Sequence, residues 1–130
     1  SAWKHFMRGD QYKNVCMDVH LYHYRDEMAI DITTPKGLSS AIARNRRLIK
    51  EARAAGFPVI VGEWSGAAVF SNVSVTPEGR AAYERVFISN QMASFADAYG
   101  WFFQTWKTEK RIAAWDARAA LGTLERAMLD

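Results

Sequence analysis

The run Val59-Ile60-Val61-Gly62-Glu63-Trp64-Ser65 constrains this chain more than any other feature. Phe57, Val59, Ile60 and Val61 are apolar or β-favouring, with no polar alternation, which suits a strand buried on both faces. Helical patterns flank the run, which places it in a β/α unit of a parallel sheet. Chemistry in such architectures gathers at the C-terminal ends of strands. A lone buried carboxylate is costly, so Glu63 must be solvated, paired or functional.

The rest of the chain continues the alternation. Residues 2–9 read as the tail of a helix ending at Gly9, and 15–22 as a strand. Val15, Met17, Val19 and Leu21 fall on one face of that strand; Cys16, Asp18, His20 and Tyr22 fall on the other. A loop over 26–37 leads to a helix with Ser39 or Ser40 as N-cap and an apolar stripe of Ile42, Leu48, Ile49 and Ala52. Gly56 stops it, and the strand at 57–63 begins. After a loop over 65–75, Thr76-Pro77-Glu78 supplies a cap and an N1 proline. The helix that follows carries Tyr83, Val86, Phe87 and Phe95 inward and ends near Gly100. A third strand spans 101–106, and Asp116 caps a last helix with Leu121, Leu124 and Met128 inward. The expected fold is α/β, one domain over 1–130, with about three β/α units connected right-handedly.

Composition removes several classes. At 130 residues, with 49% hydrophobic and 13% aromatic residues, the chain is globular and holds a modest core. The net charge of +3 is mild, and Arg44, Arg46, Arg47, Lys50 and Arg53 read as one solvated helix face, not a nucleic-acid patch. Cys16 is expected to be a buried structural thiol; as the single cysteine it excludes an internal disulfide. No stretch approaches the ~20 apolar residues of a membrane span. The N-terminus lacks a signal-peptide pattern, although a removed leader leaves secretion open. Asn72-Val73-Ser74 matches a glycosylation sequon, with chance the better explanation. No residues have metal-ligand spacing, and no glycine-rich loop suits a phosphate, so neither metal nor cofactor is expected.

Each strand ends in residues with chemical use. The first closes with Asp18, His20 and Tyr22 at period two, the second with Glu63-Trp64-Ser65, and the third with Gln104-Thr105-Trp106-Lys107-Thr108-Glu109. Aromatic rings beside carboxylates and a histidine suit a sugar site, because flat apolar rings stack on pyranose faces. Taken alone, Glu63 reads more readily as a solvated or salt-bridged surface carboxylate, and His20 as a satisfied core histidine. His23 and Tyr24 read as loop or rim residues.

In order and spacing these motifs resemble the C-terminal part of glycoside hydrolase family 5, in its exo-β-1,3-glucanase-like branch. Asp18-x-His20-x-Tyr22 resembles that family's strand six, Gly62-Glu63-Trp64-Ser65 its strand seven, and Gly100-Trp101-x-Phe103 with Trp106-Lys107-Thr108-Glu109 its strand eight. The resemblance implies a partial TIM barrel and a retaining mechanism with Glu63 as nucleophile. It implies that Tyr22 hydrogen-bonds Glu63 and that His20 steers protons or binds a sugar hydroxyl. It also places Trp64 and Trp106 in the cleft wall, Lys107 and Glu109 at its border, and Asp18 and Gln104 within reach of substrate. A β-linked oligo- or polysaccharide is the implied ligand, and a secreted or periplasmic setting the implied compartment.

Two departures bear on activity. Gln104 stands where the family has a sugar-stacking tryptophan, and an amide supplies no apolar platform. The family's acid/base is a Glu after an Asn, and no Asn-Glu pair occurs in this chain. General acid help contributes about 10²–10⁴-fold, so the isolated chain is expected to be a poor glycosidase or none. Three parallel strands also cannot close a barrel of eight, which predicts a homodimer joined through barrel-interior residues, or a complementary N-terminal half barrel. The alternative function is a non-catalytic half barrel, a carbohydrate-binding or oligomeric scaffold module. A flavodoxin-like domain would instead show a phosphate loop after the first strand, and none is present.

Overall fold

A computed structural model describes residues 2–24, 30–70 and 75–122. The Asn72 sequon and the helix positions Leu124 and Met128 lie outside the described residues. Three parallel strands, β1 (Met17–His23), β2 (Val59–Ala68) and β3 (Trp101–Phe103), form one sheet in the order β1-β2-β3. Helices α1 (Pro35–Arg53) and α2 (Pro77–Ser94) are the crossovers. Short 3-10 turns at Ala2–His5 and Ala113–Trp115 and a one-turn α3 (Ala117–Ala120) complete the described elements. This is the α/β arrangement expected from the alternation of patterns, and it is consistent with the partial barrel that the resemblance implies.

Both long helices begin with one device. Thr34-Pro35-Lys36-Gly37 and Thr76-Pro77-Glu78-Gly79 each place a threonine at the N-cap and proline next, and the glycine N–H donates to the threonine hydroxyl at 3.0 and 3.1 Å. The sequence reading started α1 at Ser39 or Ser40; the Thr-Pro cap wins because proline's fixed φ already suits the first turn. Gly56, at φ +85, ends α1 in the left-handed region.

The core lies between the sheet and the helices. Leu21, Ile49, Val59, Val61, Trp64, Ile88 and Phe95 form one cluster; Ile32, Ile42 and Phe87 anchor a second. Each such large side chain contributes about 1.5–3 kcal/mol by leaving water. On α2, Phe87 and Phe95 are buried as expected, but Tyr83 and Val86 are exposed. The buried stripe instead runs through Glu84, Phe87, Ile88, Gln91 and Ser94, a 3.6-residue period that leaves Tyr83 and Val86 on its flanks.

Strand β2 outlasts the sequence reading, which turned it into a loop at Ser65. Residues Ser65-Gly66-Ala67-Ala68 have little β preference, yet all are buried. Their smallness lets α2 lie close: a side chain at Gly66 would run into Ile88 at 2.6 Å, and the Gln91 amide donates to the Ser65 carbonyl at 2.9 Å. The first and third strands shift as well, to 17–23 and 101–103, and the N-terminal helix shrinks to a 3-10 turn.

The register positions the site. Val19 pairs with Val61, but His20 pairs with Glu63, so β2 carries Gly62 as an extra residue. The bulge turns Glu63 to the same face as His20. Glycine suits the position, because a side chain there would push the Asp18 carboxylate aside.

Candidate active site

The face of β1 away from the helices presents Asp18, His20 and Tyr22, and the bulge brings Glu63 beside them. Tyr22 donates its hydroxyl proton to Glu63 Oε2 at 2.8 Å. His20 Nδ1 lies 3.5 Å from the same oxygen, and His20 Nε2 lies 3.1 Å from Asp18 Oδ2. Asp18 Oδ1 accepts the Gly62 N–H at 2.9 Å. The four groups form one chain of contacts across two strands, and it closes on the bulge that created it.

The carboxylate remains reachable. The Glu63 side chain is 41% exposed and His20 48% exposed. Both polar neighbours address Oε2 and not Oε1. Such a carboxylate can attack an electrophilic carbon, and Tyr22 fixes its direction. Among the described residues no group of three or more His, Cys, Asp or Glu is arranged to hold a metal ion, and no helix is long and apolar enough to cross a membrane.

No family model matches the chain. It is 25% identical over 153 aligned positions to an Aspergillus clavatus protein named "Probable glucan 1,3-beta-glucosidase A", and 27% identical over 152 positions to proteins of that name from two Aspergillus fumigatus strains. The chain is a distant relative of these glucosidases. That relationship gives it a glycoside hydrolase-like origin. The alignments take in 92–93% of this chain but 35% of each relative's length.

Beside these glucosidase relatives, the other candidate residues divide. Trp64 is a correction: it is wholly buried, because it follows Glu63 on the strand and so points to the opposite face. There it meets Phe95, Trp101 and Phe103 at 5.0, 5.3 and 4.9 Å, and no part of it is left for a ligand. Asp18 has a protein partner on each oxygen, so it orients His20 and the bulge. Gln104 is exposed just past β3, on the Glu63 side by alternation, with its backbone N–H donating to the Trp64 carbonyl at 2.8 Å. Trp106 is 70% exposed. Lys107 and Glu109 line a separate open depression of about 640 Å³ with Thr108, Arg111 and Arg118.

Two further expectations are overturned. Cys16 is exposed, because it precedes β1 on the uncovered face that also carries Asp18 and His20. His23 is no rim residue: it is the last residue of β1, 1% exposed, and points toward the helices. Its Nε2 lies 2.9 Å from Asn45 Oδ1, whose amide nitrogen reaches Ser94. Asn45 therefore offers its carbonyl oxygen, which assigns the histidine proton to Nε2. Burial pushes His23 down to about 4, assisted by the Arg44 charge and opposed by the Asn45 bond.

Sequence reasoning also missed Trp115. Its ring lies 5.9 Å from Tyr22 and 5.0 Å from Tyr24. The adjoining Asp116 does more than cap α3. It is fully buried and accepts the Thr108 N–H at 2.8 Å, with Arg118 at 3.4 Å. The Thr108 bond above all holds its carboxyl down to about 2. The legible signal was Asp116 itself, an acid at a helix cap after a charged loop.

Proposed function

We propose that this chain carries the nucleophile side of a retaining β-glucosidase-type site, corresponding to strands six to eight of a family 5 barrel. The observation that supports this most is the convergence of Tyr22 and His20 on Glu63 Oε2, at 2.8 and 3.5 Å. Glu63 attacks the anomeric carbon, a C1–O ester bond forms, and the bond from C1 to the leaving oxygen breaks with its electron pair going to that oxygen. Water then attacks C1 and releases Glu63. A retaining site needs a second carboxyl about 5–5.5 Å from the first. That group, the family's Asn-Glu, has no counterpart in this sequence, so a natural glycoside with a poor leaving group turns over very slowly.

The ligand class is a β-linked glucan, by analogy with the names of the relatives. The sheet face around Glu63, with Phe102 63% exposed, is covered in the assembled protein by a complementary barrel half or a second copy. Gel filtration with light scattering separates that reading from a lone monomer. The function itself is tested with 2,4-dinitrophenyl β-glucoside, whose leaving group departs without an acid. The chain should release a burst of about one dinitrophenolate per active chain, followed by slow turnover. Glu63→Gln should abolish the burst. Equal release by both proteins removes Glu63 from the chemistry, and glucan binding without any burst favours the non-catalytic module.

A further inference from the structure

We infer that Trp115 is a positioning residue that holds Tyr22 against Glu63. The inference rests on the reading of Glu63 as nucleophile and adds a residue that the strand motifs do not contain. Tyr22 is the only hydroxyl donor to Glu63 among the described residues, and its O–H aims the carboxylate only while its ring is held. That hold comes from outside β1. The Tyr22 ring lies tilted at 34° against Trp115, 5.9 Å between centroids, and edge-on to Tyr24 at 5.3 Å. Trp115 meets Tyr24 at 5.0 Å, so the three rings close on one another.

A loop tryptophan can brace its neighbour only if its own backbone is fixed, and this one is fixed to the strand that carries Glu63. The Gln104 N–H donates to the Trp64 carbonyl at 2.8 Å, one residue past Glu63. Thr105 follows at once. Its N–H donates to the Trp115 carbonyl at 2.8 Å, and its carbonyl accepts the Ala117 N–H at 2.9 Å. Between those two bonds sits Asp116, clamped by Thr108 and by the Ala119 N–H at 3.3 Å. The path therefore runs in a circle: from the β2 backbone beside Glu63, through Gln104 and Thr105 to Trp115, through Tyr22, and back to the Glu63 carboxylate. The fixing bonds in the loop are made by backbone, Thr108 and Asp116, and none of them uses the Trp115 side chain. Trimming the Trp115 side chain thus leaves the loop in place and removes only the brace.

The test compares Trp115→Ala and Trp115→Phe with the parent chain, in two readouts. In the dinitrophenyl glucoside burst, Trp115→Ala should lower the rate constant at saturation by about ten- to a hundredfold, the order expected for a displaced catalytic group. The half-saturating concentration should stay within about twofold, because the brace acts on the reacting carboxylate and not on sugar binding. Trp115→Phe should recover most of the rate. In a crystal structure of Trp115→Ala, the Tyr22 oxygen should lie beyond hydrogen-bonding range of Glu63. An unchanged burst rate in Trp115→Ala, or an intact Tyr22–Glu63 hydrogen bond in its crystals, overturns the inference. A parent chain with no burst overturns the nucleophile reading instead, and the crystal structure then decides the role of Trp115 by itself.

Discussion

His23 makes the stability of this fold depend on pH in a window that no other shifted group among the described residues shares. The imidazole is held neutral, with its pKa lowered from 6.5 to about 4, chiefly by burial. Below pH 6.5 the unfolded chain takes up a proton that the folded chain refuses. Stability is therefore whole above pH 6.5, falls as pH drops toward 4, and levels off below that. One unit is worth about 1.4 kcal/mol, so the full window amounts to about 3 kcal/mol, of which about 2 kcal/mol is lost between pH 7 and 5. The lowered carboxylates Asp31 and Asp116 act below 3.8, outside this interval. With a urea slope of about 1–3 kcal/mol per molar, the unfolding midpoint should fall by roughly 1 M between pH 7 and 5. In His23→Gln, an amide that can still donate to Asn45, the fall should be much smaller. If the two proteins lose midpoint in parallel, His23 does not titrate as its burial requires, and the reasoning fails.

Two further substitutions probe the framework. Asn45→Ala leaves the His23 N–H without its acceptor in the core, and should cost about 1–3 kcal/mol in urea unfolding at pH 7. Gly62→Ala drives a methyl group into the Asp18 carboxylate, so Asp18 must give up the Gly62 N–H and His20 together. It should cost about 1–3 kcal/mol and shift the His20 imidazole signals in an NMR spectrum. Unmoved signals would detach Asp18 from the site.

The shared face of β1 was legible because a strand's period of two is rigid. Asp18, His20 and Tyr22 had to share a face once 15–22 was read as extended, whereas Glu63, expected at the end of its strand, sits mid-strand because β2 runs on to Ala68. What stayed hidden depended on three dimensions. Trp64 was placed with Glu63 in the cleft by the family resemblance, yet strand alternation sends neighbours to opposite faces, and the bulge at Gly62 decides which of them joins His20. Cys16 looked buried because its neighbours are apolar, but it faces the side of the sheet left uncovered. His23 looked like a rim residue because its partners, Asn45 and Phe87, lie on two different helices. Strand β2 outran its pattern through Ser65-Gly66-Ala67-Ala68, since smallness under α2 counted for more than β preference. Trp115 reaches Tyr22 only through a loop keyed to Thr105, and no local periodicity encodes such a return.

The central claim is that Glu63 is the atom source of a covalent sugar ester, oriented by Tyr22 and accompanied by His20. Incubation with 2-deoxy-2-fluoro-β-glucosyl fluoride, which forms that ester and hydrolyses it slowly, tests this most directly by intact and peptide mass spectrometry. One fluoroglucosyl group per chain is expected, on the peptide that contains Glu63, with none taken up by Glu63→Gln. A label on any other carboxylate, or no label at all on the parent chain, contradicts the account.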